Sequence, residues 1–198
     1  MKATPIFFEP SGVGNPAHFD EMLKMAHIVK YSHDRLADLG ELAWSPQMVL
    51  EIQTLGRGGL RFRTSLRTCA RGWRSVGALP VARSRDTAGC GDWLTSGLID
   101  SLCRTGVRGL RRHDMSRLLD ALTFGQGLAA WNCGFAGPRG GMYALSRSDL
   151  WRTMRGIAVG RQVSCSTEPT LPKQFLAATT GICSSCKPDL CDCHTRVS

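Results

Sequence analysis

Nothing in these 198 residues approaches the roughly 20 consecutive apolar residues that span a bilayer, so no transmembrane helix is expected. The first ten residues hold one lysine and the short apolar run Ile6 to Phe8, which Glu9 and Pro10 break at once. That pattern belongs to a strand rather than to a signal peptide. A soluble, cytoplasmic chain without a membrane partner is the expectation. Internal repeats and low-complexity blocks are also missing. His18, His27, His33 and His113 lie apart and show no ligand spacing, which makes them surface or packing residues. The nine cysteines form no regular framework of a small secreted disulfide protein, and their odd number leaves at least one unpaired in a monomer. A reducing compartment fits better. Cys69, Cys90, Cys103 and Cys133 stand singly in periodic segments, as small buried residues do.

What is present in excess is positive charge. The formal net charge is +9, carried mostly by arginines spread from Arg35 to Arg161 and densest between Arg57 and Arg85. In that stretch they alternate with glycine, serine, threonine and apolar residues, which reads as a solvated face rather than as a nucleic-acid surface. A basic surface also suits an anionic substrate.

Hydrophobic periodicity alternates between strand and helix. Ile6 to Phe8 reads as a buried strand, and residues 16 to 26 as a helix with Phe19, Leu23 and Ala26 on one face. His27 to Tyr31 forms a second strand, Asp34 to Leu42 a helix, and Met48 to Leu55 a third strand. Gly56 to Gly59 makes a turn into Leu60 to Arg63, which alternates like a hairpin strand, with more edge hairpin and loop around Trp73. Trp93, Leu94, Gly97, Leu98, Ser101 and Leu102 share a helical face that ends near Gly106. A further helix from about Asp114 to Trp131 turns Leu118, Leu122, Gly125 and Ala129 inward, and Ser146 caps a last short helix. Strands alternating with helices point to an α/β layered fold whose sheet is largely parallel and flanked by helices. The periodic pattern fades near residue 160, which divides the chain into a domain over 1–158 and a tail over 159–198.

One segment carries chemistry. Asp86-Thr87-Ala88-Gly89-Cys90-Gly91-Asp92 lies between an expected strand and an expected helix. Gly89 and Gly91 let backbone amides approach an anion, and the following helix directs its positive end there. Asp92 adds a carboxylate in the first turn, where it can accept a proton from an attacking hydroxyl. The same spacing also suits a plain helix start with a favourable dipole partner.

The string DTAGCGDWLTSGLIDSL resembles the second signature of the PfkB-type, ribokinase-like carbohydrate kinases, Asp-Thr-x-Gly-Ala-Gly-Asp followed by an amphipathic helix. EIQTLGRGGLRFR resembles the family's Thr-Leu-Gly-x-x-Gly strand and turn, IFFEPSG its Phe-Asp-Pro-Asn or Phe-Glu-Pro-Ser strand, and residues 114 to 137 its late helix beside the adenine pocket. The resemblance covers about residues 5 to 156 in the family's order. It implies that Asp92 is the general base, and that Gly89, Cys90 and Gly91 form an anion hole through their amides. It further implies that Thr54, Gly56 and Gly59 line the ATP phosphate loop, with Asp86 and Thr87 beside the hole. ATP, Mg²⁺ and a sugar or nucleoside hydroxyl acceptor would be the ligands. Cys90 stands where the family has alanine, and Ser32 and Arg35 stand where it has the Asn and Glu of an Asn-x-x-Glu motif. No counterpart of the family's first glycine-rich signature is present, so the resemblance is to the C-terminal, nucleotide-binding half. The implied fold is incomplete at its N-terminal side, which reads as a fragment, as one part of a split kinase completed by a separate N-terminal half, or as a decayed remnant, with an open sheet edge that favours a homo-oligomer.

The tail packs Cys183, Cys186, Cys191, Cys193 and His194 into twelve residues, with Cys165 upstream. A structural Zn²⁺ site is one reading and a disordered tail with free thiols the other. Three functions are therefore open at this stage. They are an ATP-dependent carbohydrate kinase, a non-catalytic nucleotide-binding fragment or subunit of a split kinase, and a zinc-dependent nucleic-acid binder.

Overall fold

The computed structural model describes residues 3–36, 42–66, 72–81 and 84–162, with backbone alone over 155–162. The tail cysteines Cys165, Cys183, Cys186, Cys191 and Cys193, and the zinc site expected of them, lie outside the described residues.

The strands β1 (Phe7–Phe8), β2 (Ile28–Ser32), β3 (Leu50–Thr54), β4 (Leu60–Thr64) and β5 (Arg74–Val76) form one sheet in chain order. The pairs β1–β2 and β2–β3 are parallel, whereas β3–β4 and β4–β5 are antiparallel. The sheet is thus mixed, with its parallel half at the start. The reason is connection length. Helix α1 (Pro16–Met25) carries the chain back between β1 and β2, and the segment holding α2 (His33–Leu36) does so between β2 and β3. Residues 55–59 between β3 and β4 are too few for a crossover and can only make a hairpin. Helix α2 is described over His33–Leu36, and Leu42, where the expected helix ends, is not helical. The described residues just before Asp86 are not a strand either; residues 77–81 run without regular structure.

Side chains alternate across the sheet. Ile28, Leu50, Ile52, Leu60 and Phe62 face helix α3 (Cys90–Leu102) and helix α5 (Met115–Cys133), meeting Leu94, Leu98, Leu102, Leu118 and Leu122 in the largest core cluster. On the opposite face Val29 and Tyr31 pack with Phe19 and Leu23 of α1, Leu36 and Met48. A short helix α4 (Gly106–Leu110) follows α3, and α6 (Arg147–Gln162) covers the outer side of α5. Helix α6 is longer than the short one expected. Its start is held as foreseen, with Ser146 Oγ accepting the Asp149 N–H at 3.2 Å and donating to Asp149 Oδ2 at 2.6 Å. Ser146 aside, Asn15 caps α1 and Asp114 caps α5 through side-chain oxygens.

Helices α3 and α5 cross through glycines. A Cβ on Gly97 would stand 2.7 Å from Gly125 Cα, and one on Gly125 would stand 2.8 Å from the Leu94 carbonyl oxygen. The two inner stripes read from the sequence therefore meet face to face. Gly97→Val is expected to destabilise the fold by about 1–3 kcal/mol through overpacking. Urea unfolding would read this as a lowered midpoint; an unchanged midpoint would mean that the helices part without cost.

The arginine-rich hairpin is not simply a solvated face. Glu51 on β3 is wholly buried opposite Arg63 of β4. Tyr31 donates its hydroxyl to Glu51 Oε1 at 2.8 Å, and Arg63 Nε donates to Oε2 at 2.5 Å. Arg63 also bonds the Leu42 carbonyl oxygen and lies over the rings of Trp44 and Trp73, with Arg61 stacked on Trp73 beside it. Burial, with the Glu51 charge behind it, pushes the Tyr31 hydroxyl above its ordinary range. Arg63 is desolvated and paired, which its spacing alone could not show, whereas Arg57, Arg74 and Arg85 are exposed as a solvated face has them. His27, by contrast, is a satisfied packing residue as expected. Its Nδ1 accepts the Ile6 N–H, and burial followed by the Arg111 charge lowers its pKa below 6.5.

Candidate functional site

The segment from Asp86 to Asp92 is a clamped turn at the start of α3. Asp86 Oδ1 accepts the Ala88 N–H at 2.9 Å and Oδ2 the Gly137 N–H at 2.9 Å. Those two amides hold the Asp86 carboxyl below its ordinary value. Asn132 reinforces the clamp from the end of α5, donating Nδ2 to the Ala88 carbonyl oxygen and accepting the Gly141 N–H. Gly89 adopts a left-handed conformation at φ 77°, and a Cβ there would strike Pro138 at 2.7 Å. Only glycine fits on both counts. Asp86 is therefore occupied in shaping the turn, while the Thr87 carbonyl accepts the Cys90 N–H at 3.2 Å.

That last bond changes the donor count. Of the three amides expected to line an anion hole, the one on Cys90 is already used within the turn. The Gly89 and Gly91 N–H groups have no partner among the described residues. They lie at the N-terminus of a 13-residue helix, whose dipole places partial positive charge there.

A cation stands beside these amides. A Cβ on Gly91 would stand 3.4 Å from both Lys30 Nζ and Glu9 Oε1, so the turn lies directly against this pair. Lys30 projects from β2 with its side chain 3% exposed and forms an ion pair with Glu9, which follows β1 directly. Thr95 of α3 donates to the other Glu9 oxygen at 2.7 Å. The turn thus sits where the parallel strands β1 and β2 end, the usual place for ligands in open α/β sheets. Lys30, Glu9 and Thr95 escaped the reading of the motif itself. The available signal was a lysine inside the apolar strand His27 to Tyr31, since a buried lysine requires a partner.

Asp92 is exposed in the first turn of α3, and its carboxylate has no hydrogen-bond partner among the described residues. With Ser96 and Asp100 it forms one wall of a cleft of about 480 Å³. The cleft is also lined by the stacked pair Phe124 and Trp151, at 4.7 Å between centroids, and by Arg139 and Met142. The Trp93 indole closes one end by donating to the Pro138 carbonyl oxygen at 2.9 Å. A largely apolar cleft of this size with a few polar groups is the common form of a small-molecule site.

Thr54, Gly56 and Gly59 lie at the end of β3 and in the tight turn to β4. Thr54 Oγ1 donates to the Tyr31 carbonyl oxygen, Gly56 has φ 54°, and Gly59 is pressed against the backbone of residues 76–78. Among the described residues this turn makes no hydrogen bond to the 86–92 turn. Ser32 ends β2, and His33, Asp34 and Arg35 are exposed on α2. Also among the described residues, no three His, Cys, Asp or Glu side chains converge as a metal site. One contact went unforeseen. Cys90 and Cys133, read as isolated buried thiols, meet with their sulfurs 2.9 Å apart.

Several solved structures share this architecture. Ribokinase from Giardia lamblia superposes with a TM-score of 0.60 at 17% identity, covering 76% of this chain and 50% of its own. Fructokinase from Xylella fastidiosa with bound ATP gives 0.60 at 18%, covering 81% and 53%. Burkholderia thailandensis nucleoside kinase in complex with inosine gives 0.51 at 20%, covering 76% and 47%. The fold is ribokinase-like. The chain spans about half the length of these structures. No protein-family model and no curated protein matches the sequence. None of the helices over the described residues is long and apolar enough to cross a membrane.

Proposed function

We propose that this chain is the nucleotide-binding part of a PfkB-type carbohydrate kinase, and that it serves ATP-dependent phosphoryl transfer to a hydroxyl of a sugar or nucleoside. One observation carries the reading. The free Gly89 and Gly91 amides, the buried Lys30 cation and the unbonded Asp92 carboxylate all gather at one helix N-terminus. Amides and cation suit the negative charge of a transferring phosphoryl group, and the carboxylate suits the proton leaving the acceptor hydroxyl. The ribokinase-like fold supports the same reading. So do the names of its neighbours, among them a fructokinase with bound ATP and a nucleoside kinase in complex with inosine.

In this proposal Asp92 holds the acceptor proton and the 86–92 turn orients the phosphate, with Thr54, Gly56 and Gly59 lining the phosphate loop. Asp86 and Thr87 contribute by keeping the turn closed rather than by touching nucleotide. Mg²⁺ needs few protein ligands when phosphates and water complete its shell. Glu9, already paired with Lys30 and bonded by Thr95, would meet such an ion only through its water shell, and the ion would neutralise phosphate charge. The chain's own contribution is otherwise to position and to exclude water.

A second reading keeps the nucleotide and drops the chemistry. Ser32 and Arg35 occupy positions where the resemblance implies Asn and Glu, and the chain spans only half of its structural neighbours. A separate N-terminal half, or a second copy, would then complete the protein. Calorimetric titration with ATP and Mg²⁺ tests the common ground. Saturable binding with roughly one site is expected, and no heat from a folded sample would remove the phosphate site. Turnover on an acceptor, alone or after adding a separate N-terminal half, then separates kinase from binding module.

A further inference from the structure

Cys90 opens α3 in the middle of the candidate phosphate turn, and Cys133 closes α5. Their sulfurs are 2.9 Å apart, and both residues are half-buried, so a small oxidant has access. The backbones around them are already tied. The Arg85 N–H donates to the Cys133 carbonyl oxygen at 2.7 Å, and Asn132 bonds the Ala88 carbonyl oxygen. A disulfide has its sulfurs about 2.05 Å apart, so closure requires an approach of about 1 Å between elements already held side by side. We infer that Cys90 and Cys133 form a reversible intramolecular disulfide that staples the 86–92 turn to α5 and weakens its hold on phosphate. The effect on phosphate rests on the function proposed above; the disulfide does not.

The oxidant class is a hydroperoxide and the reductant a dithiol. The shared hydrogen bond, in which either sulfur can be the donor, and then burial hold the Cys90 thiol above the ordinary thiol range, while the same bond lowers Cys133. Either sulfur can be the attacking thiolate, and with Cys133 in that part the thiolate acts first. It takes one oxygen of hydrogen peroxide, breaking the O–O bond and releasing hydroxide, and becomes a sulfenic acid. The Cys90 sulfur then attacks the sulfenic sulfur, its proton leaves with the hydroxyl as water, and the S–S bond forms. Two thiols and one peroxide give one disulfide and two waters. A dithiol returns both thiols by exchange and is itself oxidised to a disulfide.

The direction of the effect follows from what lies on each side of the turn. Gly91 abuts Lys30 and Glu9, whereas Cys90 abuts Cys133 and the Ala129 carbonyl oxygen. Drawing Cys90 toward α5 moves the free amides away from the Lys30 cation, so donors that converge in the reduced form diverge in the oxidised one.

The test is to treat the full chain with stoichiometric hydrogen peroxide, map its disulfides by peptide mass spectrometry, and titrate ATP with Mg²⁺ into both forms. A linked peptide pair containing Cys90 and Cys133, cleared by dithiothreitol, is expected. So is a melting temperature raised by on the order of 5 °C and ATP binding weakened several-fold. Cys133→Ser and Cys133→Ala should each abolish the linked pair and the response to peroxide. Free thiols at both positions, or linkage of either to another cysteine, would overturn the proposal. A disulfide that leaves ATP affinity unchanged would overturn the gating. A disulfide in a chain that binds no ATP in either form would instead count against the kinase reading while the redox pair stands.

Discussion

Asp92→Asn is expected to lower phosphoryl transfer by roughly 10²–10⁴-fold, the range for removing a general base, with ATP affinity nearly unchanged. The expectation rests on what Asp92 does and does not touch. Its carboxylate bonds no protein group among the described residues, so the substitution removes no structural contact. The isosteric amide keeps the size of the side chain and loses the capacity to take a proton. Phosphate binding is assigned instead to the Gly89 and Gly91 amides and to Lys30, which the change leaves in place. A rate assay with whichever acceptor supports turnover, run beside an ATP titration, reads the two effects separately. Equal rates in mutant and parent would remove Asp92 from the mechanism. A parallel loss of ATP binding would make it a ligand of nucleotide or metal instead.

Glu51→Ala is expected to cost about 3–5 kcal/mol of stability, the penalty for breaking one side of a buried ion pair. Glu51 is wholly buried and answers both Tyr31 and Arg63. Its removal leaves a guanidinium 11% exposed without its carboxylate, and a phenol without its acceptor. Urea unfolding should show a much lower midpoint. Pairing the change with Arg63→Met should recover most of the loss, because an apolar pair carries no unpaired charge. If the double variant is no better than the single one, the cost lies in lost packing rather than in the stranded cation. The two predictions separate cleanly, since one concerns a residue exposed at the helix start and the other a network on the far face of the sheet.

The elements were legible wherever local pattern decides them. Phe19 and Leu23 on α1, the inner stripe of α3, and the stripe of α5 through Gly125 follow helical spacing, and the cap at Ser146 follows from its side chain, whereas the structure added the caps at Asn15 and Asp114. The turn at residues 55–59 was visible through its glycines. The hairpin read into Leu60 to Arg63 already carried the antiparallel pairing of β4 with β3, and the antiparallel β5 follows at the edge beyond it.

The candidate site divides in the same way. The chain itself determined the Asp86-to-Asp92 turn, because two glycines, two carboxylates and an amphipathic helix are consecutive in it. Local chemistry supplies its groups, while Gly137, Asn132 and Pro138 hold it closed from 44 to 51 positions away. Tertiary structure alone decided that Lys30 and Glu9 meet Gly91, that Cys90 meets Cys133, and that Arg63 is buried on Glu51 rather than solvated. Each of these pairs joins residues from 12 to 82 positions apart, and a contact over such distances exists only once sheet register and helix crossing are set. The Gly97–Gly125 crossing and the parallel pairing of β1 with β2 set them, which is why partners were beyond reach where motifs were not.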